Sequence, residues 1–413
     1  MKPLSKLTAA VPPVLATLLA AALTLATAHA QNFTEALTAA ERADPTFRIA
    51  LTNVANRRVQ VQEAKAAFYP SASVSYSRAD VSTGAVSYGL TITQPLLSYD
   101  RYLTLQQVDP IAALAVAEER QARSELALRL FRVMAEIIRN REAIRSIGVQ
   151  IDGLETQLRR AQRMRELGQG TITEVSDYEV RLAVAQANRV SQQSAMDSAM
   201  RNFNLITGLQ AQADKVVVDD AARSPRPQDE LGFVSRVRET TIAVVSARQS
   251  LRLQEIAVKR TRAEFLPQVV AVAGAGKSAG ALNSYTDTRI GLVLSAPLGV
   301  GQWYNQQRVA NDLLRAQEAL RSAQEAAAIE AQRLLQTAQS LDTEVEIRVR
   351  AVAAARLALE GNIKSYQGGV KSNIDVLTSI QYLSDTEVAL VNSQISRQET
   401  LLNIQLLDPA EVR

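Results

Sequence analysis

No cysteine occurs among the 413 residues, and the single histidine is His29. Disulfides, thiol chemistry and a lipid-modified cysteine are therefore excluded. Zinc and haem centres and serine–histidine catalysis lose their usual ligands and bases. The formal charge of +4 is too small an excess to argue for nucleic acid as a partner. Paired carboxylates do occur, as at Glu118 and Glu119 or Asp219 and Asp220, but they lie among arginines with no apolar surround to raise a pKa. No catalytic residue, bound metal, cofactor or enzymatic activity is expected. The stretch "AVAGAGKS" at 271–278 approaches a phosphate-binding loop. However, Ala271 stands where that pattern needs glycine, and a turn rather than a helix follows the lysine. It reads as a strand end and a surface loop.

Long apolar runs are also scarce. The one near the N-terminus, residues 14–26, follows the basic Lys2 and Lys6 and precedes "AHA" at 28–30. That order is a secretory signal peptide over residues 1–30, cleaved before Gln31. After it, no segment reaches the roughly 18 apolar residues a membrane-spanning helix needs. If the exported chain enters a membrane, it does so as a barrel, because only helices and closed barrels satisfy their backbone in lipid.

What the chain does have is a duplication. "FYP" at 68–70 recurs as "FLP" at 265–267, and "LTITQPL" at 90–96 recurs as "LVLSAPL" at 292–298. "GQGTITEV" at 168–175 recurs as "GVKSNIDV" at 369–376, each about 200 residues on. This divides the chain into a first repeat (31–210), a linker around "SPRPQDE" (211–229), a second repeat (230–408) and a tail (409–413). Each repeat reads helix, strand, strand, long helix, break, helix. The first helices are expected over 34–67 and 230–264. Val74, Tyr76, Leu90 and Ile92 alternate with serine, threonine and glycine, and Leu292 and Leu294 alternate likewise. Strands are expected over 71–79, 86–94, 268–276 and 287–296, although "QVVAVAGAG" alternates poorly. A wet face of small polar residues and a greasy opposite face suit a lipid-facing wall. Four strands cannot close a barrel, so a barrel shared by several subunits is expected.

The long helices are expected from near Pro110, with Asp109 as N-cap, to Leu167, and from near Gly301 to Gly368. Leu334, Ala338, Leu341, Val345, Val352, Ala355 and Leu359 follow a 4-3 spacing that only Arg348 breaks, which is a coiled-coil seam. Such helices would be on the order of 85–100 Å long, matched by two shorter helices end to end. Both breaks carry glycines: Gly168 and Gly170 in the first repeat, Gly368 and Gly369 in the second. Glycine there ends a helix, and an acidic residue, Glu174 or Asp375, opens the next one in favour of its dipole. If every helix runs the length of a cylinder, both breaks fall at the end far from the strands. A ring of subunits would then gather several copies of this charged turn around one axis.

Taken together, the duplication, "ITQPLLSYDR" at 92–101, the paired Gly-x5-[DE]-V turns and the "ITG" at 206–208 resemble the TolC-like outer-membrane channel proteins of tripartite efflux pumps and type I secretion systems. The resemblance covers essentially the whole mature chain. It implies a homotrimer in the outer membrane with a large periplasmic portion. The fold would be mainly α, with a twelve-stranded β-barrel on a long α-helical coiled-coil barrel closed at its inner end. It further implies a periplasmic adaptor (membrane fusion) protein and an inner-membrane ABC or proton-driven transporter as partners, outer-membrane lipid around the barrel, and no nucleic acid. Asp375 matches a pore aspartate of the family, while Thr378 stands where some members carry a second. Tyr366 and Lys371 match residues that tie the inner coiled coil to its neighbour, and Thr173 and Glu174 match their partners. A periplasmic scaffold or adaptor without a pore is the alternative, but an adaptor would show one coiled-coil hairpin in β-rich domains rather than two duplicated units.

Overall fold

The computed structural model describes residues 31–78, 86–218, 221, 226–279, 284–296 and 299–408. The expected signal peptide, the tail 409–413, Asp219, Asp220 and part of the linker lie outside the described residues. In chain order the first half runs β1 (Gln31–Asn32), α1 (Phe33–Ala43), α2 (Pro45–Ala66), β2 (Ser71–Arg78), β3 (Val86–Leu97), α3 (Tyr99–Gln106), α4 (Val108–Glu166) and α5 (Ile172–Thr207). A short β4 (Val216–Val217) pairs in parallel with β1. The second half repeats the order with α6 (Glu230–Thr240), α7 (Ile242–Ala263), β5 (Gln268–Ala279), β6 (Ser284–Ser295), α8 (Val300–Gln367) and α9 (Asn373–Leu407).

Each opening helix, expected to be continuous, is two helices. Asp44 stops α1 in an extended conformation and caps α2, accepting from Phe47 N at 2.8 Å, with Pro45 at the first helical position. Proline has no N–H to lose there and disfavours helix in the residue before it. Thr241 breaks the second copy with ψ 142°, its hydroxyl turned back to the Val237 carbonyl at 2.5 Å. The long helix also starts earlier than expected. Asp109 lies inside the first turn of α4, and the N-cap position falls to Gln107.

At 1.5 Å per residue, the 59 residues of α4 and 68 of α8 are about 90 and 100 Å long. Toward the strands, α4 packs on α2, tied by Arg57–Glu118 (3.1 Å) and Arg58–Glu119 (2.7 Å). Toward the opposite end it packs on α5, through Ile151, Leu154 and Ala161 against Val175, Tyr178 and Ala185. The main core lies between these regions, at mid-height. There Phe33, Phe47, Phe131, Met134, Phe203, Val216 and Leu402 close over one another from α1, α2, α4, α5, β4 and α9. A matching core joins Phe233, Val237 and Val244 to Leu334, Leu335 and Ala338 of α8. Along the seam, Leu334, Ala338, Val352 and Ala355 are buried, and the interrupting Arg348 is held by Glu344 at 2.7 Å.

The four long strands form one antiparallel sheet in the order β2-β3-β5-β6. Its second hairpin is longer than the alternation suggested, with β5 reaching Ala279 and β6 starting at Ser284. The phosphate-loop lookalike at 271–278 is wholly within β5, so no helix follows its lysine.

Candidate functional site

Both tip turns are built alike. Leaving α4, Gln169 N donates to Met164 O (2.9 Å) and Gly168 N to Arg165 O (3.0 Å). Leaving α8, Val370 N donates to Ser365 O (2.9 Å) and Gly369 N to Tyr366 O (3.1 Å). This crossed pair of bonds requires a left-handed residue after the helix. Gly168 and Gly369 supply it, with φ of 71° and 74°. Gly170 serves differently, because a Cβ there would lie 2.9 Å from the Arg165 nitrogen. Gly368, with φ −81°, is the last residue before the left-handed one.

The two following helices begin with matched acidic residues that behave differently. Thr171 caps α5 by accepting from Glu174 N at 3.2 Å, yet the Glu174 carboxylate does not fold back. It reaches the second hairpin and accepts a hydrogen bond from the Tyr366 hydroxyl at 2.8 Å. At the start of α9, the shorter Asp375 folds onto its own turn, accepting from Ser372 N (2.9 Å) and Ser372 Oγ (2.8 Å). These two bonds, with a smaller contribution from Lys371, hold the Asp375 pKa below the usual carboxylate range. Lys371 Nζ stands 3.7 Å from Asp375 Oδ1. Within one chain, then, Tyr366 meets Glu174, whereas Lys371 turns to Asp375 rather than to Thr173 or Glu174. Thr173 is exposed, and Thr378 spends its hydroxyl on the Ile374 carbonyl at 2.7 Å.

Tyr366 is held on its face as well as its edge. The Arg160 guanidinium carbon lies 4.8 Å from the ring centroid, close enough for a cation–π contact. Beneath it, Tyr178 is fully buried beside Tyr366. Burial, then the nearby Tyr366 and Glu174, push the Tyr178 pKa far above that of a free phenol. Burial and the Glu174 bond likewise raise that of Tyr366. Both phenols therefore stay protonated, and Tyr366 remains the donor in its bond to Glu174.

Sequence reasoning missed a polar layer between the hairpins. Ser146 Oγ of α4 donates to Ser384 Oγ of α9 at 2.9 Å in a buried setting, and Gln150 Nε2 donates to Gln381 Oε1 at 2.5 Å. Nearer the turn, Asn362 Nδ2 donates to Ser379 Oγ at 2.6 Å, joining α8 to α9. None of these residues belongs to a motif. Only Ser146 and Ser384 share a buried register on paired helices that could have flagged them, the Gln150–Gln381 bond being exposed.

At the other end the sheet sorts its side chains by face. Cross-strand partners in an antiparallel ladder share a face, so Ala72–Ile92–Ala273–Ile290 and Val74–Leu90–Ala275–Thr288 each cross one side. Leu292 and Leu294 continue that side beside Ala271 and Val269. Its large apolar residues are exposed, with Val74 at 82% and Ile290 at 87%. The opposite side carries Ser71, Ser73, Ser75, Thr91 and Thr93. The segment "SYDR" at 98–101 joins this wall to the helices: Ser98 caps α3, Asp100 pairs with Arg260 of α7 at 2.7 Å, and Arg101 donates to the Ala67 carbonyl.

No family model matches the sequence. The chain is 25% identical over 303 residues to the proteases secretion protein PrtF of Dickeya chrysanthemi, covering 71% of this chain and 66% of that one. The match thus spans about two thirds of the length of PrtF. It is 22% identical over 386 residues to the outer membrane efflux protein BepC of Brucella suis, covering 89% of this chain and 83% of BepC. Among solved structures, the outer membrane protein VceC of Vibrio cholerae aligns with a TM-score of 0.72 at 17% identity, over 91% of this chain and 96% of VceC. The duplicated helical hairpins and the four-stranded wall thus belong to a chain that has the fold of VceC and is similar over most of its length to TolC-like secretion and efflux proteins of the outer membrane.

Proposed function

We propose that three copies of this chain form the outer-membrane exit duct of a tripartite export system, a passive channel that carries out no chemistry. The observation that carries this reading is the sheet. One of its faces is apolar and exposed, the other carries serine and threonine along β2 and β3, and among the described residues both edge strands, β2 and β6, have no partner on their outer side. Such edges invite pairing with another copy. Because the strands alternate in direction, β6 of one copy set beside β2 of the next continues the antiparallel order, and three copies close an even-stranded barrel of about twelve. Among the described residues no helix is long and apolar enough to cross a membrane. The helices also expose apolar side chains that a single chain leaves uncovered, among them Val184, Val190 and Leu357.

In this reading the barrel stands in the outer membrane and the helices reach through the periplasm. A periplasmic adaptor and an inner-membrane ABC or proton-driven transporter supply opening and energy. PrtF is named for protease secretion and BepC for efflux. The same duct suits proteins or small molecules, with cargo chosen by the transporter. The tips form the gate: Tyr366 and Glu174 join the hairpins within each copy, Thr173 faces a neighbouring copy, and Asp375 with Lys371 lines the aperture. The test is fractionation followed by reconstitution. The outer-membrane fraction should hold a heat-modifiable trimer that gives discrete conductance steps in planar bilayers. A soluble, non-conducting periplasmic species would overturn the reading in favour of a scaffold or adaptor.

A further inference from the structure

The lipid-facing side of the sheet carries two charged residues among the described positions, both cationic and both at the end away from the helices. Lys277 lies on the rung Tyr76–Tyr88–Lys277–Thr286, and Arg78 on the next rung outward, Arg78–Val86–Ala279–Ser284. Both are exposed, and neither has a carboxylate partner among the described residues. Below them the same face is uncharged down to Val269 and Leu294. From Val269 to Lys277 the strand rises about 26 Å, or about 20 Å along a barrel axis at the usual tilt. That nearly matches the apolar band of an outer-membrane barrel, so the two tyrosines fall at its outer edge and the cations just beyond.

We infer that Arg78 and Lys277 form a docking site for the phosphate of an anionic lipid headgroup in the outer leaflet. The inference rests on the barrel reading above. Among the described residues the opposite face holds Asp287 and Arg289 together, whereas this face holds cations alone. The strand order places Arg78 on β2 and Lys277 on β5, two strands apart and thus about 10 Å across the ladder. Continuing the order from β6 to the next copy's β2 repeats that interval. A closed trimer therefore carries a cation on every second strand, an unbroken belt at headgroup height. Thr286 and Ser284, on the same rungs, add hydroxyl donors to the phosphate oxygens.

The experiment is native mass spectrometry of the purified trimer in detergent with phosphatidylglycerol or phosphatidylcholine at equal dilute concentration. Wild type should retain phosphatidylglycerol preferentially. Arg78→Gln and Lys277→Gln should each lower that retention about fivefold, the usual effect of one basic residue at an anionic surface. Arg289→Gln, on the opposite face, should leave it unchanged. A conducting trimer that retains both lipids equally would overturn the docking site and leave the duct intact, as would a double variant that retains phosphatidylglycerol like wild type. Inhibition by free inorganic phosphate alone, with no lipid preference, would also overturn it. A protein that forms neither trimer nor channel would instead sink the duct reading on which the inference stands.

Discussion

Glu174→Asp is the most informative perturbation of the tip, because it keeps the charge and the helix-start position and changes only reach. In the native turn the longer side chain accepts from Tyr366 Oη at 2.8 Å, joining two hairpins. The equivalent aspartate in the second repeat, Asp375, folds back on Ser372 instead. Shortened by one methylene, residue 174 should do the same on Thr171 and release Tyr366. A hydrogen bond to a charged group contributes about 1.5–3 kcal/mol when sheltered. Glu174 and Tyr366 are only partly buried, so solvent screening reduces this to about 1 kcal/mol. That corresponds to about fivefold in the open-to-closed ratio per copy, and about a hundredfold if three tips move together. The Arg160 contact with the Tyr366 ring, about 0.5–1 kcal/mol at an exposed site, should survive and keep the variant from opening fully.

The assay is single-channel recording of Glu174→Asp, Tyr366→Phe and the double variant, with trimer content checked by gel migration. Both singles should raise open probability by similar factors. The double should open no further than either single, because each removes the same bond. Fully additive opening, or a Glu174→Asp channel as closed as wild type, would refute the argument. Lys371→Ser should act independently of this pair, since its partner within the chain is Asp375.

Other consequences follow from the same geometry. Arginine at Leu90 should cost about 2–4 kcal/mol of barrel stability near mid-membrane, and arginine at Thr91 far less; equal urea midpoints for the two variants in vesicles would contradict the face assignment. Alanine at Gly369, where φ is 74°, should destabilise the turn by about 1–2 kcal/mol. At Gly361, in mid-helix with open space around its Cβ, alanine should stabilise by about 0.8–1 kcal/mol, so thermal melts should shift in opposite directions. The Asp375 pKa is held below its ordinary value, so its support of α9 is present above the usual carboxylate range and lost as pH falls through the depressed value. Once the intrinsic pH dependence of exchange is divided out, amide protection in the first turn of α9 should fall on acidification in wild type and stay constant in Asp375→Asn.

Much of the architecture was legible because local signals and global fold agree. The duplicated glycine turns, the alternation through Val74–Tyr76 and Leu90–Ile92, and the 4-3 seam around Leu334 each point to one structure. Legibility failed where a local pattern is weak for a physical reason. On β5 the residues sharing the apolar face are Ala271, Ala273 and Ala275, while Val270 and Val272 take the other. Alanine is too small to mark a face by hydropathy. Ile92 and Ile290 flank Ala273 on the adjacent strands and cover that side of the wall. The helix break at Asp44, within a stretch expected to be one helix, had a signal that the continuous pattern overrode: Asp-Pro is a cap followed by a tolerated first residue. The one at Thr241 was not, because Thr-Ile continues a helical pattern.

The cluster at the helix turns is the harder case, and the repeats explain why. Tyr366 and Glu174 are 192 residues apart, and Arg160 belongs to no motif. Nothing in either repeat alone predicts that they meet. Comparison of the repeats offers one signal: Thr171-x-x-Glu174 and Ser372-x-x-Asp375 are the same cap pattern with side chains of different length. An aspartate at the third helical position is short enough to satisfy its own turn, and it does so. A glutamate there can close the same box, but it has one methylene to spare. When another hairpin brings a donor within reach, bonding outward leaves the turn only its threonine cap. Lengthening one carboxylate and not the other thus adds one crossing bond at the turns, worth about 1 kcal/mol, to those that Ser146 and Gln150 make farther from them. A duplicated scaffold thereby acquires asymmetry between its two turns: the first hairpin reaches across through Glu174, and the second keeps Asp375 on its own turn, the arrangement that the proposed gate would use.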